Sequence, residues 1–164
     1  MKTETIILAL AIALTGIMAG IFYTWSNAVK PGIGNLTDLE YLRAFQSMNR
    51  VILNQSFKAL FMGAVITTGI LPILYFKQFP NTVFWLFTAC FSIYWIGVFA
   101  VTVLGNIPLN EVLDKSNLDT MSSNDLKVLR SSIEIKWNNF NLVRSISSGL
   151  SFILLIISYL YLNK

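Results

Sequence analysis

Four stretches of the chain carry no charged side chain: Thr5 to Val29, Ala59 to Phe76, Gln78 to Asn110 and Ser145 to Asn163. Every Lys, Arg, Asp and Glu lies outside them. An α-helix rises about 1.5 Å per residue, so about 20 mostly apolar residues cross a hydrocarbon core about 30 Å thick. A charge at the centre of that core costs about 2.5–3.5 kcal/mol or more. The pattern predicts four membrane-spanning helices, near residues 5–28, 57–77, 82–105 and 142–162. A soluble helix must show water a polar stripe, and Ile6 to Leu14 has none. Lys2 and Ala11-Ile12-Ala13 loosely match a cleaved leader, but the apolar run continues to Phe22 and Tyr23, too long for a leader core.

The connections carry a different period. Pro31-Gly32 is expected to stop the first helix, and Thr37-x-x-Glu40 is a capping box that opens the next. Leu39, Leu42, Phe45, Met48 or Asn49, and Ile52 then share one face, which predicts an amphipathic helix lying on the membrane or packed over the bundle. Asn54 to Ser56 should break the chain before the second span. Pro72 should kink that span, and Lys77 to Asn81 should make a tight reversal. The aromatic-rich third span should end at Gly105-Asn106-Ile107-Pro108, with Glu111 to Ser123 a mobile loop. From Asn124, capped by Ser122 or Ser123, a helical pattern runs unbroken to Leu162. Its Leu126, Leu129 or Arg130, Ile133, Trp137, Phe140, Asn141 and Arg144 share a face. A helix of that length measures about 58 Å, so half of it must project beyond the bilayer. The expected fold is all-α: a single integral membrane domain over residues 1–164, built as a four-transmembrane-helix bundle. An amphipathic helix joins spans one and two, and a long helix runs into span four.

Charge and composition narrow the function. A net charge of +4 is what loops facing lipid head groups carry, and no basic cluster points to nucleic acid. The chain has no histidine and one cysteine, Cys90, so no intramolecular disulfide or Cys-x-x-Cys pair can form. The usual haem ligand and the usual zinc and di-iron sites are missing too, and neither a metal nor another cofactor is expected. Four spans put both termini and the Lys77 turn on one side and the long connections on the other. The long connections hold nine Lys and Arg against three elsewhere, yet the short side is denser in positive charge per residue. The latter is taken here, giving a multi-pass protein of the cell membrane with cytoplasmic termini.

The polar residues at the loop-facing ends of the spans need explaining. Gln46 and Asn49 stand at i, i+3; Asn106 and Asn110 at i, i+4; Trp137, Asn141 and Arg144 at i, i+4, i+7. All four spans reach that side, so these groups, with Trp25 and Phe45, are candidates for one ligand pocket. Four blocks carry a resemblance: Trp25-Ser26-x-x-Val29-x-Pro31-Gly32, Phe45-Gln46-Ser47-Met48-Asn49-Arg50, Asn106-Ile107-Pro108-Leu109-Asn110 and Trp137-x-x-Phe140-Asn141-x-x-Arg144. In their order and spacing the sequence resembles the anthrone oxygenase-like family of small membrane proteins, most of which are known only as a domain of unknown function. Family members often have Pro shortly after the Asn-Arg block; this chain has Asn54-Gln55, which leaves the local kink open. The resemblance implies a four-helix membrane bundle and, for its namesake members, oxidation of an anthrone to an anthraquinone.

An anthrone that loses a proton from its central CH₂ becomes an extended enolate able to react with O₂ without a metal. The protein would supply a flat aromatic pocket and donors aimed at the oxyanion. Trp25, Phe45 and Trp137 could wall it, and Asn49, Asn106, Asn141 or Arg144 could donate. No base is evident, so proton removal would fall to water, Glu111 or another group. The same residues also have a plain structural use. Amides at span ends hydrogen-bond across helices for about 0.6–2 kcal/mol, Trp anchors at interfaces and Arg reaches head groups. Two functions stay open. One is a cofactor-independent oxygenase or related enzyme acting on a lipophilic aromatic or quinone-like molecule. The other is a non-catalytic membrane protein binding a lipid or a protein partner. A channel is not expected, because no span carries the ionisable residues of an ion path.

Overall fold

The computed structural model describes residues 3–163, without the side chain of Gln78. Among them there are five helices and no strand: α1 (Thr3–Gly34), α2 (Asp38–Ile52), α3 (Gln55–Leu74), α4 (Thr82–Lys115) and α5 (Ser123–Leu162). Helices α1, α3, α4 and α5 are the four long apolar ones. Only 22–33 % of their most apolar stretches is buried inside the bundle, so most of that surface faces outward, where lipid can cover it. The chain is a multi-pass membrane protein. Its spans form a ring in which α1 packs on α3, α3 on α4, α4 on α5, and α5 closes back onto α1.

The expected caps are present. Thr37 and Glu40 form a reciprocal capping box at α2, and Ser122 and Asp125 form one at α5. At the elbow between α2 and α3, Asn54 takes the place of a proline kink. Its Oδ1 accepts from the Phe57 N–H at 2.9 Å and its Nδ2 donates to the Val51 carbonyl at 3.1 Å.

Two expected helix ends are corrected. Pro31-Gly32 does not stop α1, and Gly105 to Pro108 does not end α4. Each proline follows two residues after a π-helical segment, Trp25–Val29 in α1 and Thr102–Asn106 in α4. The helix opens there to five-residue hydrogen bonds, Lys30 N–H to Trp25 O and Ile107 N–H to Thr102 O. A widened turn relieves the clash between a proline ring and the carbonyl four residues back, so the helix runs on. The loop expected over Glu111 to Ser123 is accordingly helix as far as Lys115, with a 3₁₀ turn at Leu118–Thr120.

Helix α5 organises the packing. Trp137, Asn141, Arg144, Ser148, Ser151, Leu155 and Ser158 are buried along one seam at three-and-four spacing. Its serines are short enough to let neighbours close in, and Cys90 Sγ donates to the Ser151 carbonyl at 3.5 Å. Two glycines of α4 sit where the helices touch. A Cβ on Gly97 would fall 2.5 Å from Ser147 Cβ, and one on Gly105 would fall 2.8 Å from the Phe140 ring. The half of α5 that projects beyond the bundle packs against α2 and the end of α4 through Tyr41, Phe45, Leu113, Ile133 and Trp137.

Candidate functional site

Where the π segments open α1 and α4, the bundle does not close on itself. A cavity of about 660 Å³ lies between α1, α2, α3, α4 and α5. Seven of the nine candidate residues line it: Trp25, Asn49, Asn106, Asn110, Trp137, Asn141 and Arg144. Phe45 stands directly behind the wall. It is fully buried, with its ring 5.2 Å from Trp25 and 5.0 Å from Trp137, while those two indoles lie 4.4 Å apart. The three rings, tilted or edge-on to one another, thus form a cluster along one side of the cavity.

Arg144 is the centre of the polar part. It is 5 % exposed, and its Nη2 donates to Asn141 Oδ1 at 2.9 Å and its Nη1 to Thr102 Oγ1 at 3.4 Å. The guanidinium lies 4.5 Å from the Phe22 ring and 5.1 Å from Trp137. None of these partners is a carboxylate. Asn141 in turn is fixed by α1, donating through Nδ2 to the Phe22 carbonyl and to Ser26 Oγ, both at 3.0 Å. The π segment of α1 also presents Trp25, whose Nε1 donates to Asn138 Oδ1 at 2.9 Å. From α4, Asn106 donates to the Trp137 carbonyl at 3.3 Å, and Asn110 Oδ1 accepts from Trp137 Nε1 at 2.7 Å.

Three buried polar atoms of residues that line this cavity have no hydrogen-bond partner among the described residues: Asn49 Nδ2, Asn106 Oδ1 and Arg144 Nε. Two are donors and one is an acceptor. Leaving such groups unpaired costs about 1–3 kcal/mol each, so their gathering in one cavity needs a reason. The residues lining the cavity include two cations, Lys58 at the rim and Arg144 inside, and no Asp or Glu. Its field therefore favours an anion or a developing oxyanion.

Gln46 belongs elsewhere. Although it shares a face with Asn49, its longer side chain reaches sideways and its Nε2 donates to the carbonyls of Leu113 and Ser116 at 2.9 and 3.3 Å. Those carbonyls lie at the end of α4, where the Leu113 oxygen also accepts the Ser116 N–H at 3.1 Å. Glu111, considered above as a base, does not reach the cavity either; it is exposed and pairs with Lys115 at 3.5 Å. Thr102, Phe22, Asn138 and Lys58 were not singled out from the sequence, and Ser26 only as a member of the block that begins at Trp25. Thr102 and Asn138 had a signal, standing four residues before Asn106 and three before Asn141 on the same faces; a lone Phe in an apolar run gives none.

Arg130 fastens the roof. Its Nη2 donates to the Gly34 carbonyl at 2.9 Å, its Nη1 to the Leu36 carbonyl at 2.8 Å and to Asp38 at 3.1 Å, and its Nε to Glu134 at 2.7 Å. The hydrogen bond to Glu134 holds the Arg130 pKa above its ordinary value. Its guanidinium also covers the ring of Tyr41 at 4.4 Å, and burial pushes the Tyr41 phenol up. The end of α1 and the start of α2 are thereby tied to α5, which places α2 and Asn49 over the cavity. Among the described residues no three His, Cys, Asp or Glu side chains are grouped to hold a metal ion.

The anthrone oxygenase family matches residues 52–154, more than half of the chain. The chain belongs to that family. The matched region runs from the end of α2 through α3 and α4 and into α5, so it holds Asn106, Asn110, Trp137, Asn141 and Arg144. Trp25, Phe45, Gln46 and Asn49 precede it. Neither comparison with curated proteins nor comparison with solved structures returns a match.

Proposed function

We propose that the protein is a membrane-embedded oxygenase that binds a lipophilic aromatic ketone or phenol of the anthrone class in this cavity and oxidises it with O₂, without a resident cofactor. The observation that carries the reading is the set of unpartnered buried polar atoms, Asn49 Nδ2, Asn106 Oδ1 and Arg144 Nε, on residues that surround one largely apolar cavity. A flat ring system would lie against Trp25 and Trp137, and its oxygen would take the free donors. As the ring CH₂ loses a proton, its electron pair spreads onto that oxygen, and the Arg144 guanidinium stabilises the charge. The carbanion carbon then bonds to O₂ and, with a proton, gives a hydroperoxide. Loss of the second C–H proton breaks the O–O bond, leaving a new carbonyl and one water. One CH₂ and one O₂ are thus converted to one C=O and one H₂O.

With no carboxylate in the lining, the protein's part is to lower the acidity barrier of the substrate, and water takes the proton. That same lack supports a second reading, in which the cavity only binds a lipophilic anion or lipid. Oxygen uptake separates the two. With 1,8-dihydroxyanthrone as probe, wild type should show a ligand-induced rise in melting temperature together with anthraquinone formation and equal O₂ consumption. Arg144→Met should remain folded and lose at least tenfold in both. A thermal shift without O₂ uptake would favour the binding protein, and equal shifts in wild type and variant would overturn the site.

A further inference from the structure

The cavity is shut toward the water-facing end and toward the middle of the membrane, but not at its side. Above it, Phe45 is wholly buried between Trp25 and Trp137, and Gln46 draws α2 down onto the end of α4. Below it, Phe61 stacks on Phe99 with ring centroids 6.3 Å apart. The lining residues of the last turn of α2 and the first turns of α3 are instead exposed: Val51 is 68 %, Leu53 51 % and Met62 43 % exposed. Ile107 on α4 also lines the cavity and is 38 % exposed.

The depth of this rim follows from geometry. The 20 residues of α3 measure about 30 Å, which matches the hydrocarbon core, so Gln55 marks one boundary and Met62 stands about 10 Å inside it. Val51 and Leu53 precede Gln55 and stand at the head-group level, while Met62 faces acyl chains, so the exposed rim runs from the interface into the hydrocarbon. Lys58, between the two levels, can extend its amine to the head groups.

We propose that the cavity opens sideways into the bilayer, through a slot between the α2–α3 elbow and Ile107, and that it takes flat amphiphiles from the leaflet with their acidic oxygen leading toward Asn106 and Arg144. The identity of the ligand rests on the oxygenase reading; the path does not. A substrate that partitions into the membrane is then captured where it is most concentrated, and the Asn54 bonds on both sides of the elbow hold the slot in shape.

The test uses the full chain in lipid nanodiscs, carrying Phe57→Cys in a Cys90→Ser background, because Phe57 lines the cavity and is half-buried. N-decylmaleimide dissolved in the bilayer should label the new thiol. Adding Ile107→Trp, or independently Met62→Trp, should slow that labelling at least tenfold; both are exposed positions where a larger side chain can be accepted without repacking the core. A sulfonated, membrane-impermeant maleimide should label the same thiol at least tenfold more slowly than it labels an Asn117→Cys control. Labelling by the sulfonated reagent at the control rate, or an unchanged N-decylmaleimide rate in both Trp variants, would overturn the slot. Because labelling reads access alone, a cavity labelled from lipid that does not oxidise 1,8-dihydroxyanthrone upholds the slot and overturns the oxygenase. A cavity that oxidises the anthrone but is labelled only from water does the reverse.

Discussion

Arg144 is a buried cation whose partners are an amide oxygen, a hydroxyl and two aromatic rings. A guanidinium suits that place because it is planar, stacks between rings and is weakly hydrated, whereas an ammonium is a compact, strongly hydrated charge. Arg144→Lys is therefore expected to behave as a loss. It should weaken binding of the aromatic probe at least tenfold and lower unfolding stability by about 1–3 kcal/mol, both read from thermal melts with and without probe. Trp25 allows a smaller test. Trp25→Phe keeps a ring against Phe45 and Trp137 but leaves Asn138 Oδ1 without its donor. The expected cost is about 1–3 kcal/mol in denaturant unfolding, with probe affinity changed less than by either Arg144 variant.

At the scale of elements, the cavity depends on how closely helices may approach and on where they are pinned. Gly97 lets α4 lie against Ser147 of α5, and a Cβ there would meet the Ser147 Cβ at 2.5 Å, too close to be relieved by a side-chain turn. Gly97→Ala should cost about 1–3 kcal/mol of stability in chemical denaturation. Arg130 pins α2 to α5 through bonds to the Gly34 and Leu36 carbonyls and the Asp38 carboxylate, and Glu134 on its own helix holds it in place. Arg130→Met should speed amide exchange across α2 while leaving α3 protected, since the bonds lost between helices all lie at the α1–α2 turn. The capping box of α2 adds a pH dependence. Bonds from the Thr37 side chain and then its backbone N–H hold the Glu40 carboxyl below its usual range. A depressed folded-state pKa means that the contribution is present above the unfolded-state value and is lost as pH falls through the depressed one. Amide exchange in the first turn of α2 should rise on acidification through that window, and Glu40→Gln, which keeps a capping side chain without a titrating proton, should flatten the response.

At the scale of the whole molecule, the four spans leave the termini and the Lys77 turn on one side and the α1–α3 and α4–α5 connections on the other. We propose that the first side is cytoplasmic and the membrane is the cell membrane. In intact cells an impermeant thiol reagent should then label Asn117→Cys and spare Lys77→Cys in a Cys90→Ser background; the opposite pattern inverts the protein. The chain is also proposed to be one domain, because α2 and the projecting half of α5 pack on each other and on α4 rather than forming a separate core. A single unfolding transition by intrinsic fluorescence and by circular dichroism is the expected outcome.

The sequence by itself determined the spans, the amphipathic α2 with its capping box, and the unbroken α5 with its serine cap, because each is set by local rules: charge exclusion from hydrocarbon, a 3.6-residue period, and side chains that cap their own helix. It also placed Asn49, Asn106, Asn141 and Arg144 at one end of the bundle, since charge-free runs fix which end of each helix is which. The tertiary structure decided what local rules cannot reach. Pro31 and Pro108 read as stops, yet a π turn before each lets the helix pass, and whether a turn widens depends on neighbours such as Asn141 and Phe140 that lie far away in sequence. Gln46 shared a face with Asn49 but bonded to the end of α4, because the choice between two directions was made by where the Leu113 and Ser116 carbonyls came to lie. The cavity itself, and the three buried polar atoms left without partners on the residues around it, exist only where five helices meet, and a volume enclosed by distant segments leaves no trace in the spacing of any one of them.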